Sequence, residues 1–267
     1  MPPVEYFLLY LAMGAAAGVL AGLLGVGGGL IVVPALTFTL QAQGVAPGMS
    51  IRLALGTSLA SIIFTSISSA LAHDRRGAVA WRVVASFAPG VVGGTLAGSL
   101  LASRLSPVFL RLFFSAFLML VCLQLFFGLK PGARRRLPGR VAQASAGSVI
   151  GAVSSLVGIG GGILTVPYLL WHDVEVRRAI GTSAAVGFPI AAAGAAGYLA
   201  GGLGAAGLPG SSLGYIYLPA LAAVAAASTA AAPLGAALAH RLPAGVLRRV
   251  LSVALVAVAI RMAAGAL

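Results

Sequence analysis

With 267 residues, 60% hydrophobic and only 8% charged, the chain lies far from the roughly one-quarter charged content of soluble domains. Its net charge of +13 would suggest nucleic acid in a soluble protein, but the arginines sit at the ends of apolar runs, where they set membrane orientation. The composition leaves no room for a soluble enzyme domain, and no alternating segments suggest an outer-membrane barrel, so the fold class is an all-α polytopic membrane protein.

The first half opens with a helix expected around residues 6–24. The N-terminus lacks the basic start of a cleaved signal peptide, so this segment is read as retained. It runs into Gly25-Val26-Gly27-Gly28-Gly29-Leu30-Ile31-Val32-Val33-Pro34, a glycine run that interrupts a helix, and a short apolar arm continues to about Leu40. Apolar segments near 53–72, 83–102 and 108–128 follow, and Lys130 to Arg140 is the longest hydrophilic stretch. The second half repeats these parts. A helix around 143–157 meets the break Gly158-Ile159-Gly160-Gly161-Gly162-Ile163-Leu164-Thr165-Val166-Pro167, 133 positions after the first. An arm to about Trp171 and segments near 179–200, 214–239 and 245–265 complete it.

Two further anchors keep the same order. Arg52 with Gly56-Thr57-Ser58 parallels Arg177 with Gly181-Thr182-Ser183, and Arg104-Leu105 with Arg111 parallels Arg241-Leu242 with Arg248. The chain reads as a duplication: a first repeat at 1–128, a cytoplasmic basic linker at 129–141 and a second repeat at 142–267. Orientation follows from the basic residues. If each broken segment crosses the membrane, the halves are parallel and nine basic residues lie inside against eight outside. If each is a re-entrant hairpin, three full crossings remain per half, the second half is inverted, and the split becomes thirteen inside against four outside. The positive-inside rule favours the inverted reading.

Re-entrant hairpins would bring the starts of the second arms to the membrane midplane. Free N–H groups at a helix start carry partial positive charge and suit an anion. The expected substrate-binding residues are therefore Gly27, Gly28 and Gly29 with Gly160, Gly161 and Gly162, joined by the hydroxyls of Thr57, Ser58, Thr182 and Ser183. The competing explanation for glycine is close helix packing, which suffices for Gly93, Gly94, Gly98 and Gly151. For the hydroxyls it is bonding to their own helix. Ser61, Thr65, Ser66, Ser68 and Ser69 extend the first polar face with weaker counterparts in the second half. Neither break matches a Walker loop or a Rossmann fingerprint.

Arg52, Arg177 and Arg178 could steer anions, although span-end arginines usually serve as interface anchors. Trp81 and Trp171 read as aromatic-belt residues. Cys122 alone allows no internal disulfide. His73, His172 and His240 lack metal-ligand spacing, so no metal or cofactor is assigned. The only acids, Glu5, Asp74, Asp173 and Glu175, lie near segment ends. A carrier coupled to protons or sodium commonly keeps a carboxylate within the membrane, and none is evident. Potential-driven anion efflux needs none.

The paired Gly-Val-Gly-Gly-Gly29 and Gly-Ile-Gly-Gly-Gly162 runs, each reaching a proline five residues on, resemble the TauE/SafE sulfite exporter family. The Gly-Thr-Ser elements are similar to that family's pattern, and the resemblance covers the whole chain. It implies a bacterial inner-membrane permease for sulfite, organosulfonates or other small sulfur-containing anions. A passive anion channel, or a permease for another small carboxylate or oxyanion, is the alternative. The expected partners are a small anion and the lipid bilayer, with a homodimer allowed and no nucleic acid.

Overall fold

The computed structural model describes residues 4–25, 27–127, 137–239, 255–256 and 259–265. Nine long helices are described: α1 Val4–Leu24, α2 Gly29–Ala42, α3 Pro47–Asp74, α4 Trp81–Arg104, α5 Pro107–Phe127, α6 Arg140–Val157, α7 Gly162–Trp171, α8 Val176–Gly202 and α9 Leu218–Ala239. Six of them, α1, α3, α4, α5, α8 and α9, are long and apolar enough to cross a bilayer. The protein is a multi-pass helical membrane protein. Most of the expected linker and the start of the expected 245–265 segment lie outside the described residues, while 259–264 are helical.

Two boundaries depart from the sequence reading. Helix α3 begins six residues early because Pro47, whose missing N–H costs nothing in a first turn, starts it. Arg52 therefore lies inside the helix. The segment expected at 214–239 starts instead with an antiparallel pair, β1 Ser212–Leu213 and β2 Ile216–Tyr217, before α9. Gly214, at φ 54°, turns this hairpin so close to α8 that a Cβ there would strike the Leu199 carbonyl. The fold is thus helical with one minimal β-hairpin.

Packing is reciprocal between the halves. Helix α1 lies along α9 as α6 lies along α4, and α3 meets α9 as α8 meets α4. Small residues make these approaches possible. A Cβ on Gly14 or Gly18 of α1 would strike the backbone of Val224 or Ser228, and one on Gly147 or Gly151 of α6 would strike that of Phe87 or Val91. Such backbone-to-backbone contact is how helices associate where lipid removes the hydrophobic drive. Gly94 and Gly98 pack in the same way on α6, but Gly93 meets nothing within 4 Å, so close packing explains it no longer.

At the centre, α3 and α8 run antiparallel. Along their contact Gly56 sits by Tyr198, Gly194 by Leu59, Gly187 by Ser66 and Gly181 by His73. Helix α2 turns back along α1: Gly28 at its start lies against Ala17, and Gln43 at its end donates from Nε2 to Tyr10 Oη at 2.6 Å. Arg111 of α5 is 5% exposed and ties three parts of one end of the bundle together, donating to the carbonyls of Pro47 and Gly265.

Candidate functional site

The two glycine breaks have the same local geometry and touch each other. Gly25 and Gly158, at φ 68° and 70°, end the first helices, while Gly28 and Gly161, at φ 75° and 74°, cap α2 and α7. All four hold the left-handed region that side chains other than glycine's rarely adopt. A Cβ on Gly27 would lie 3.0 Å from Gly160 Cα, and one on Gly29 would collide with the Gly158 carbonyl. Each break is thus packed against the other. Among the described residues, no backbone acceptor meets the N–H groups of Gly28, Gly29 and Leu30, nor those of Gly161, Gly162 and Ile163. Such first-turn N–H groups are the ones a helix start leaves to partners outside the helix.

The Gly-Thr-Ser elements clasp the opposite half. Ser58 Oγ donates to the Gly158 carbonyl at 2.7 Å, and Ser183 Oγ donates to the Gly25 carbonyl at 3.1 Å. Thr57 Oγ1 accepts from the Tyr217 N–H at 2.9 Å, and Thr182 Oγ1 accepts from the Ala80 N–H at 2.9 Å. Those N–H groups belong to the residues just before α9 and α4. Gly56 and Gly181 complete the arrangement, since a Cβ on either would collide with the carbonyl of Tyr215 or Ala78 in the same segments. In this conformation the four hydroxyls are turned to backbone of the other half.

A small cavity lies beside the meeting point of the breaks, lined by Ala21, Gly25, Gly27, Ser66, Ser69, Gly160, Ala184 and Gly187. Its volume open to water centres is about 10 Å³. That admits about one water. Of the expected site residues, Gly27 and Gly160 line it. Gly28, Gly29, Gly161 and Gly162 sit just beyond in the packed breaks, and the four hydroxyl residues do not reach it. Ser66 and Ser69 do, and their helical spacing of three is the only sequence signal that pairs them. Ser66 Oγ bonds the Ile63 carbonyl at 3.1 Å, while Ser69, 1% exposed, has no hydrogen-bond partner for its hydroxyl. Their neighbours face elsewhere: Thr65 meets Ser228, and Ser68 donates to the Thr229 carbonyl.

Charged groups stand apart from this centre. Arg52 donates to the Leu105 carbonyl at 2.9 Å and lies 5.8 Å over the Tyr215 ring, while Arg177 and Arg178 are exposed at the start of α8. Trp81, half exposed, donates to Asp74 at 2.8 Å. His73 is buried at the end of α3, with Nε2 2.9 Å from the Gly22 carbonyl.

The model of the sulfite exporter TauE/SafE family matches residues 10–262. The chain belongs to that family. A relative from Haemophilus influenzae, named a probable membrane transporter protein, is 34% identical over 96% of this chain and 98% of its own. Similarly named proteins from Methanocaldococcus jannaschii and Bacillus subtilis are each 29% identical, over 70% and 68% of this chain and 69% and 74% of their own. No solved structure matches. As a TauE/SafE protein with six helices suited to spanning, the chain is a membrane transporter.

Proposed function

We propose that this protein is a bacterial inner-membrane permease for small sulfur-containing anions, such as sulfite or organosulfonates, binding the anion near the midplane between the glycine-broken helices of two inverted repeats. The observation that carries this reading is the contact between the breaks, because it brings two helix starts with orphan N–H donors to one place. Inversion is supported by the antiparallel run of α3 against α8 and by the reciprocal packing of the halves. Re-entrance is supported by length. The 14 residues of α2 and 10 of α7 reach about 21 and 15 Å, short of the roughly 30 Å hydrocarbon core. Residues 1–128 and 142–267 are then the repeats, joined by a cytoplasmic linker at 129–141. A C-terminal reporter active only in the cytoplasm should stay silent; strong activity would sink the inverted topology.

All four acids lie at or near helix ends, so export is read as driven by the membrane potential. An inside-negative potential of 100 mV supplies about 2.3 kcal/mol per charge, or about a fortyfold gradient of a monovalent anion. In proteoliposomes, labelled sulfite should show saturation and counterflow, and its distribution should follow an imposed potential. Indifference to potential would refute this drive. Unsaturable flux without counterflow would favour the channel.

A further inference from the structure

We infer that the cavity beside the breaks is a one-sided anion subsite in which the Ser69 hydroxyl donates to a ligand oxygen, and that it selects singly charged oxyanions. This rests on the transport reading above and specifies where, and in what charge state, the anion is held.

The first observation is the unpartnered hydroxyl. A buried O–H without a partner costs about 1–3 kcal/mol, and its neighbours on the same helix all avoid that cost. Ser66 bonds its own helix, and Thr65 and Ser68 bond α9. Ser69 alone of the four is left unpaired, and it lines the cavity.

The second is asymmetry. Aligning the breaks and the Gly-Thr-Ser elements gives each lining residue a counterpart across the pseudo-symmetric centre. Ser66 and Ser69 correspond to Ala191 and Gly194, whereas Ala184 and Gly187 correspond to Leu59 and Ile62. Those two larger side chains fill the counterpart space: Leu59 Cδ1 lies 2.7 Å from where a Cβ on Gly194 would sit, and Ile62 Cγ2 lies 3.2 Å from one on Gly160. The duplicated scaffold thus carries room beside Ser66 and Ser69 on one side, whereas on the other Leu59 and Ile62 fill the space and the one hydroxyl, Ser154 as counterpart of Ala21, lies 3.3 Å from where a Cβ on Gly161 would sit. The hydroxyl side is the one towards His73 and the α3–α4 loop with Arg75 and Arg76.

The third is charge. No arginine, lysine or acid lines the cavity, so the anion's charge meets only hydroxyls, glycine backbone and the helix starts one residue beyond Gly27 and Gly160. Desolvating a second charge there has no cation to offset it, and the penalty rises steeply with charge. Hydrogensulfite and monosulfonates fit; sulfate, with a fourth oxygen on sulfur and one more charge, does not. Because the cavity has room for only about one water, binding must widen it.

The test is ligand-induced thermal stabilisation of the purified full chain in detergent, titrated with sulfite, methanesulfonate and sulfate. Wild-type protein should bind methanesulfonate at least about tenfold more tightly than sulfate. Ser69→Ala should weaken sulfite and methanesulfonate by about tenfold, the worth of one hydrogen bond to a charged group, without lowering the ligand-free melting temperature. That last readout separates a ligand donor from a structural hydroxyl, whose loss would destabilise the empty protein. Unchanged affinity in Ser69→Ala overturns the subsite while leaving the transport reading intact, and tighter binding of sulfate overturns the charge selection. A well-folded wild-type protein that ignores all three anions overturns both the subsite and the sulfur-anion reading.

Discussion

Gly28→Ala should destabilise the protein by about 2–5 kcal/mol, whereas the same change at Gly93 should stabilise it by about 0.5–1 kcal/mol. Both lie in apolar sequence but differ in backbone conformation and surroundings. Gly28 holds φ 75°, and its new methyl group would stand 2.8 Å from the Ala17 carbonyl oxygen and Cβ, on backbone that cannot step aside. Gly93 is helical with open space around it, so alanine gains helix propensity and meets nothing. Gly161→Ala provides a graded case. Its φ of 74° costs the same as at Gly28, but its methyl group would meet the end of the Ile190 side chain, which can rotate away. A loss of about 1–3 kcal/mol is expected there. Reversible unfolding in mixed micelles gives all three values. Equal effects at Gly28 and Gly93 would mean the breaks are not the strained, packed centre described above.

The breaks were legible because a glycine run inside an apolar stretch has few explanations, and its repetition removed most of them. Helix order followed from apolar length, and only local chemistry shifted the boundaries. Pro47 extends α3 backward past Arg52, and a two-residue ladder such as Ser212–Leu213 with Ile216–Tyr217 is too short to show alternation. What the residues do at the centre was less legible. Ser58 and Gly158 are 100 positions apart, and nothing local to either says that they bond. Ser68 and Ser69 are neighbours with the same chemistry. One helical step of about 100° turns one to the Thr229 carbonyl and the other to the cavity. Conversely, the Gly-Thr-Ser pairs were recognised as important from their repetition, but repetition alone cannot distinguish a ligand from a clasp.

Thr57→Val should separate those two roles. Valine keeps the size and branching of threonine and removes only the oxygen. The Tyr217 N–H then loses its acceptor in a buried setting, and stability should fall by about 1–3 kcal/mol. Thr182→Val should cost less, because the Ala80 N–H it leaves is only partly buried and water can reach it. The two sites hold opposite ends of the α3–α8 pair, so the double variant should lose the sum within about 0.5 kcal/mol. If the threonines act as clasps, molecules that remain folded should bind sulfite with an affinity within about threefold of wild type, because the oxygen lost is not one the anion touches. If they act as ligands, the pattern reverses: affinity falls by about tenfold while the unfolding free energy hardly changes. Measuring both quantities on the same two variants therefore assigns the element. It also bears on transport: a clasp whose threonine and serine bonds cross between the halves must yield or travel as a unit whenever the halves rock around the breaks. Weakening one end should then alter transport rate before it alters binding.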